Sequence, residues 1–391
     1  MSEDFKKYSL KYFACIYLAS VGDKIGFENG DRERNYRESI IVIEEGDYKY
    51  KNIVEGLSTN MYLTFIAQGG ITGLNLDKLK VSDDTIMHLD LINGLIDNFN
   101  DRNQIYDNVL KYYLISFKDI EYMRDVLLAG RQTLESIKNI NSGSNWKTLP
   151  YNKNAGGSGG PMRVMALGLV FHKKSDLLKL IEICIMITSI THPNSIAFIG
   201  SIMSALFTSY AFKDLKPETW IFEFISLLES NTIDDIIEKI KPSYIEYFKE
   251  DKKLFLYKLA TYVETSFDNY NYVINEKSIR AIYPWKRMFY YFDYFSSNQK
   301  IFYPGSGADD SVIIAYDCLL LAKNNYEKLI YYSMINIGDS DTIGSIASAW
   351  YGAIYQFKNV SDSILNTLDY NKIKNISNNL YNKFYNKSLN I

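Results

Sequence analysis

Two short acidic clusters carry most of the chain's candidate chemistry. Ser82-Asp83-Asp84-Thr85 and Asp339-Ser340-Asp341-Thr342 lie far apart but share one design. Each leads straight into an apolar periodic segment. Ile86, Met87, Leu89, Leu91, Ile92, Leu95 and Ile96 follow the first, and Ile343, Ile346, Ala347, Ala349, Trp350, Ala353 and Ile354 follow the second. A helix start needs one capping oxygen, not three or four. Stacked carboxylates and hydroxyls make a hard-oxygen donor set suited to Mg²⁺ or Mn²⁺. Brought together by the fold, the two clusters could hold a pair of such ions and serve a metal-dependent hydrolase. Taken singly, each also fits an ordinary cap favoured by the helix dipole.

A second motif is Ala155-Gly156-Gly157-Ser158-Gly159-Gly160, running into Pro161-Met162-Arg163. Proline marks a first helical position. A glycine loop feeding a helix exposes backbone N–H groups that favour phosphate. The alternative is a short flexible linker. Of the three histidines, His88 and His172 read as structural, and so does His192 when taken alone. Cys15, Cys184 and Cys318 are scattered through apolar stretches, which argues against a disulfide framework and against zinc.

The elements that must position these residues are helical. Helical periodicity covers 4–20, ending at Gly22-Asp23, then 82–98, 105–116, 120–138, 161–171, 175–190, 195–212, 218–229 and 232–240. It resumes over 243–267, 309–323, 326–335, 341–356 and 361–385. Residues 31–80 are the least readable. Gly69, Gly70 and Gly73 mark a loop, and Ile40-Ile41-Val42-Ile43 is the one β-like run. No fixed-period repeat and no long linker divides the chain. The expectation is an all-α helical bundle, a single domain over 1–391, in which the two acidic clusters could meet as a binuclear metal site.

Composition narrows the function. Hydrophobic residues make up 47% of 391, enough for a buried core of one large domain. A net charge of −3 advertises no nucleic-acid surface. The most apolar stretch, 177–212, is interrupted by Lys179, Glu182, His192, Pro193 and Asn194, so no membrane span is expected. The first residues, Met-Ser-Glu-Asp-Phe-Lys-Lys, lack the order of a signal peptide. A cytoplasmic monomer is expected.

Read together, the motifs resemble the ADP-ribosylglycohydrolases nearly end to end, from about residue 8 to 357. The landmarks stand in that family's order: Gly22-Asp23-x-x-Gly26, Ser82 to Leu89, Gly156 to Arg163, Thr191-His192 with Gly200, and Ser204-Ala205-Leu206-Phe207. Asp310 with Ala315-Tyr316-Asp317 follows, then Gly338 to Ile343 and Ala349-Trp350-Tyr351-Gly352. The resemblance implies two Mg²⁺ ions held by Ser82, Asp83, Asp84, Asp339, Asp341 and Thr342, with Mn²⁺ as the alternative metal. Asp83, Asp84 and Asp341 are the candidates for activating the attacking water. Gly156, Gly157, Ser158 and Gly159 would cradle the pyrophosphate of ADP-ribose, with His192 and Asp310 near the ligand. Asp310 also fits a helix cap, and Asp23 fits either a helix-end turn or support for a metal ligand.

The arginine-type members look nearest, which implies mono-ADP-ribosylated proteins as substrates. Two features depart. Ala308-Asp309-Asp310-Ser311 puts Asp309 where that subgroup often has histidine. Thr191-His192-Pro193-Asn194-Ser195 is closer to the serine-cleaving subgroup. Gly30 stands where many members carry a glutamate, as in arginine-type enzymes, and Glu28 is not its equivalent. Cleavage of serine-linked or O-acetyl-ADP-ribose, or ADP-ribose binding without turnover, are the alternatives. Inactive members tend to lose metal carboxylates, and this chain retains them.

Overall fold

The computed structural model describes residues 3–31, 48–141, 146–272, 283–295, 304–365 and 367–385. The β-like run at 40–43 lies outside them. The longer helices are α1 (Glu3–Phe27), α2 (Tyr48–Ala67), α3 (Asp83–Ile96), α4 (Arg102–Ser116) and α5 (Leu177–Ser189). They continue with α6 (Ser195–Phe212), α7 (Ile245–Ser266), α8 (Ala308–Ala322), α9 (Ser340–Tyr355) and α10 (Tyr370–Phe384). Among the described residues, sheet structure is confined to one pair, Phe267–Asp268 against Asn271–Tyr272. The all-α expectation holds, with one continuous apolar core.

α6 is the central helix. It is apolar enough to cross a membrane by length and composition, but it is buried inside the protein over nearly its whole length. Asn194 caps its start, with Oδ1 accepting the N–H groups of Ile196 and Ala197. Lys11 closes its end by donating to the carbonyls of Ala211 and Phe212. Phe207 on α6 packs against Trp220, Tyr316 and Trp350, with ring centroids 5.1 to 5.4 Å apart. Each aromatic pair adds about 0.5–1.5 kcal/mol beyond its buried area.

α1 does not stop at Gly22-Asp23. It runs on to Phe27 because the glycines there serve close approach rather than termination. A Cβ on Gly22 would strike the Gly344 backbone of α9, and one on Gly26 would strike Ser340. The Ser340 hydroxyl donates to the Gly26 carbonyl at 2.8 Å. This contact sets Asp23 of α1 beside the acidic start of α9.

Other boundaries moved for local reasons. The stretch expected as one helix over 120–138 is two, Ile120–Asp125 and Arg131–Asn141. Leu128 between them takes a left-handed φ of 55°. Residues 161–171 open with a single tight turn, Pro161–Arg163, before Met165–Val170. Within 31–80, α2 was not foreseen.

Candidate active site

The question of cap against ligand is answered first at α3. Ser82 is its N-cap, accepting the Asp84 N–H at 3.1 Å. Asp23 reaches the same helix start from α1, and its carboxylate accepts the N–H groups of Ser82 and Thr85 at 3.1 Å. The orphan donors of α3 are therefore served by Ser82 and Asp23. The carboxylates of Asp83 and Asp84 are left for other work. At α9 the N-cap Asp339 makes no side-chain cap bond. Its Oδ2 instead accepts from the Ser158 hydroxyl at 3.0 Å.

The clusters meet directly. Thr342 Oγ1 donates to Asp84 Oδ2 at 2.9 Å. Asp83, Asp84 and Asp341 are 6%, 3% and 5% exposed, and Asp23 is fully buried. Among the described residues, no lysine or arginine forms an ion pair with these four. Burial, with Asp341 close by, pushes Asp23 and Asp83 up to about 7. The Arg163 guanidinium opposes this at Asp83. Burial and the four neighbouring aspartates push Asp84 well above the usual carboxylate range.

That strain is the test of fit for a divalent cation. Several buried carboxylates without cationic partners, flanked by the hydroxyls of Ser82 and Thr342, are the donor chemistry Mg²⁺ or Mn²⁺ takes. Among the described residues, no three His, Cys, Asp or Glu side chains close around a single point. Asp84 and Asp339 are held on Thr342 and Ser158 instead. The fit is therefore one of donor type and charge.

The glycine loop forms the opposite wall. Its backbone pairs with the segment before α8: Ser158 N–H donates to the Ser306 carbonyl, and Ala308 N–H to the Gly156 carbonyl, both at 2.9 Å. His192 presses on the loop from below. A Cβ on Gly159 would strike its ring and come 3.0 Å from an Arg163 nitrogen, so only glycine fits there. Between the walls lies a cleft of about 230 Å³.

Asp83, Asp84, Asp339, Asp341, Thr342, Gly157, Ser158, Gly159 and His192 all line that cleft. Ser82 and Gly156 lie behind it, as cap and as loop anchor. Asp310 was expected near the ligand, and its place corrects that. It is fully buried behind the loop, with Oδ1 accepting the Gly307 N–H at 2.7 Å. The carboxylate props the loop that carries Ser306. Asp23 supports α3 from the middle of a helix, not from a turn. His88, Cys15, Cys184 and Cys318 are buried away from any partner cysteine or cleft, as expected.

Arg131, Gln132, Ser306 and Arg163 were not foreseen. The first two come from the broken helix at 126–130, which brings Leu128, Gly130, Arg131 and Gln132 to the cleft rim. Arg163 had a sequence signal: a charge immediately before the apolar run Val164 to Phe171.

The ADP-ribosylglycohydrolase family model matches residues 6–390. The chain belongs to the ADP-ribosylglycohydrolase family. An ADP-ribosyl glycohydrolase of Acanthamoeba polyphaga mimivirus, so named provisionally, is 31% identical over 97% of this chain and 70% of its own length. ADP-ribosylhydrolase ARH1 of Dictyostelium discoideum is 29% identical over 93% of both chains. A solved structure described as an ADP-ribosylglycohydrolase-related protein complex matches 96% of this chain and 98% of its own. Its TM-score is 0.53 at 15% identity, and it supports the fold. As an ADP-ribosylglycohydrolase, the chain is a hydrolase of ADP-ribose linkages.

Proposed function

We propose that the protein is a Mg²⁺-dependent hydrolase that releases ADP-ribose from mono-ADP-ribosylated arginine on proteins. The observation that carries it is the Asp84–Thr342 contact, which joins the two acidic helix starts at one wall of a cleft whose other wall is the glycine loop. Ser82, Asp83, Asp84, Asp339, Asp341 and Thr342 would hold the metal. Divalent ions there supply positive charge that clamps the ribose hydroxyls and positions a water.

The chain's own residues do the rest. ADP-ribose carries an anionic pyrophosphate, and the cleft is acidic, so charge alone sends the phosphates to the glycine-loop wall. Ser158 N–H is already given to Ser306, so the available backbone donors are those of Gly157 and Gly159. The ribose then faces the carboxylates. Cleavage of the glycosidic bond builds positive charge on the anomeric carbon, which nearby carboxylates stabilise. Asp83, Asp84 and Asp341 are the candidates to take a proton from the attacking water.

A serine linkage is the second reading, favoured by Thr191-His192-Pro193. Free ADP-ribose released from arginine-linked and serine-linked peptides, with Mg²⁺ or with EDTA, separates the readings. Faster release from arginine, abolished by EDTA, is expected. Release from neither peptide would end the proposal.

A further inference from the structure

Arg163 is fully buried, yet it meets no carboxylate. Its Nη1 donates to the Thr191 hydroxyl at 2.8 Å, while Nε and Nη2 have no partner. The guanidinium lies over the Tyr113 ring, 5.5 Å from its centroid. Its charge reaches Asp83 without an ion pair, and a buried cation with two unpaired nitrogens is costly, so its retention calls for a further reason.

The Thr191 hydroxyl is also 2.8 Å from His192 Nδ1. A hydroxyl has one proton to give. With Arg163 supplying a proton to the Thr191 oxygen, the proton of that hydroxyl is best directed at Nδ1. The ring then carries its own proton on Nε2. That edge faces the cleft beneath Gly157 and Gly159, with Nε2 3.5 Å and 2.9 Å from where Cβ atoms would stand. Among the described residues, nothing pairs with Nε2.

We propose that Arg163 and Thr191 are positioning residues that lock His192 as a neutral Nε2–H donor aimed into the cleft, for an oxygen of the ADP-ribose moiety. Two further observations agree. Burial and then the charge of Arg163 hold His192 well below its ordinary range, so the ring stays neutral. A neutral ring gives the substrate a directed donor and adds no charge to compete with cations at the carboxylates. The choice of ligand rests on the proposed function, whereas the proton's place on the ring does not.

The three histidines make the test direct. Nitrogen-15 spectra of the imidazoles distinguish the two neutral tautomers, and His→Gln variants assign the signals. His172 serves as the internal contrast, because its Nδ1 lies 2.8 Å from the Leu169 carbonyl, which only accepts. The native protein without ligand should show His192 as Nε2–H and His172 as Nδ1–H between pH 6.5 and 8. Thr191→Val, nearly isosteric, should mix the His192 tautomers and weaken ADP-ribose binding by about tenfold in calorimetry. Thr191→Ser should restore both. Arg163→Gln should act in the same direction as Thr191→Val. An Nδ1–H signal for His192 in the native protein overturns the proposal. So does native-like ADP-ribose affinity in Thr191→Val. If the native protein binds no ADP-ribose, the proposed function fails, and the spectrum alone decides the relay.

Discussion

Among the helices that open with acidic residues, three buried starts have two different fates. α3 begins with Asp83-Asp84, α9 carries Asp339 and Asp341, and α8 carries Asp309 and Asp310. At α8 the protein supplies partners to both carboxylates, although Asp310 Oδ2 stays buried without one. Asp309 pairs with Lys258 of α7 and accepts the Asp310 N–H, and Asp310 accepts the Gly307 N–H. At α3 the capping falls to Ser82 and Asp23, at α9 Asp341 Oδ1 accepts the Thr342 N–H, and the two acidic starts meet on one wall of the cleft. What sets α8 apart is the lysine: Lys258 sits on Asp309, whereas among the described residues no lysine or arginine forms an ion pair with Asp83, Asp84 or Asp341.

The sharpest break of that comparison is on turnover. Under the proposed function, Asp84→Asn and Asp341→Asn would remove a charge that serves the cation and the developing cationic sugar. Activity should fall on the order of a hundredfold to a thousandfold, several kcal/mol of transition-state stabilisation. Asp309→Asn, at a structural helix start, should retain turnover within a few-fold once the fold is intact. Measured kcat for the three variants checks it. Equal losses in all three would erase the distinction.

The opposite wall gives the next largest effect. Gly159→Ala places a methyl group into the His192 ring and against Arg163. The loop must shift, and ADP-ribose affinity should drop about tenfold or more, as for loss of one or two good hydrogen bonds. Calorimetry with ADP-ribose reads this. Gly156→Ala is the milder comparison, since its Cβ would press on Asn194 Oδ1 at 3.3 Å and meet other atoms only from 3.7 Å outward. Ser158→Asp is a poor probe here, because its carboxylate would also face Asp339.

Stability separates the same two classes with opposite signs. Asp309→Ala strips Lys258 of its partner in a largely buried setting, and should lower stability by about 1–3 kcal/mol. Asp341→Asn relieves repulsion among buried carboxylates, so the metal-free protein should melt at the same temperature or higher. Mg²⁺ should raise the native melting point by mass action, about 2.7 kcal/mol at 100 times the dissociation constant. Asp341→Asn should lose most of that rise. Identical Mg²⁺ responses in the two proteins would remove Asp341 from the metal site.

Much of this contrast was legible in the chain. The apolar periods behind Ser82 and Asp339 fixed where α3 and α9 lie, because burial selects one helical face regardless of context. The fate of each carboxylate was not legible, because it depends on partners from distant helices. Asp310 and Asp83 look alike in sequence, and only the positions of Gly307 and Asp23 tell them apart. Gly22 misled in the same way: glycine both ends helices and lets them touch. Leu128 hid a break in an apolar pattern, since a left-handed leucine has no sequence signal. Arg163 stood out as a charge among apolar residues, but its partners, Thr191 and Tyr113, are far away in the chain.

The smallest expected effect is in pH. Burial raises Asp23 and Asp83 to about 7, and Asp84 well above the ordinary 3.8 too. The folded state then binds more protons than the unfolded chain from about pH 4 up through 7, and stability falls as pH rises across that range. Buried histidines act the other way below their ordinary 6.5, because the unfolded chain takes up those protons. His88 is pushed down to about 3 by burial, and His192 is lowered as well. The window free of that opposition lies between pH 6.5 and 8. There the metal-free protein should lose melting temperature as pH rises, by a few degrees. α8 contributes in the same direction through Asp310, which burial and Asp309 raise to about 8. Metal distinguishes the two sources. Saturating Mg²⁺ should flatten the share owed to the cleft, because a bound cation replaces the protons, and should leave the share of Asp310 in place. Melts at pH 6.5, 7.25 and 8, with EDTA and with Mg²⁺, measure both. A slope unchanged by Mg²⁺ would assign it to Asp310 and to Asp90, which burial raises to about 7 outside the cleft, and leave the cleft carboxylates without a metal to answer to.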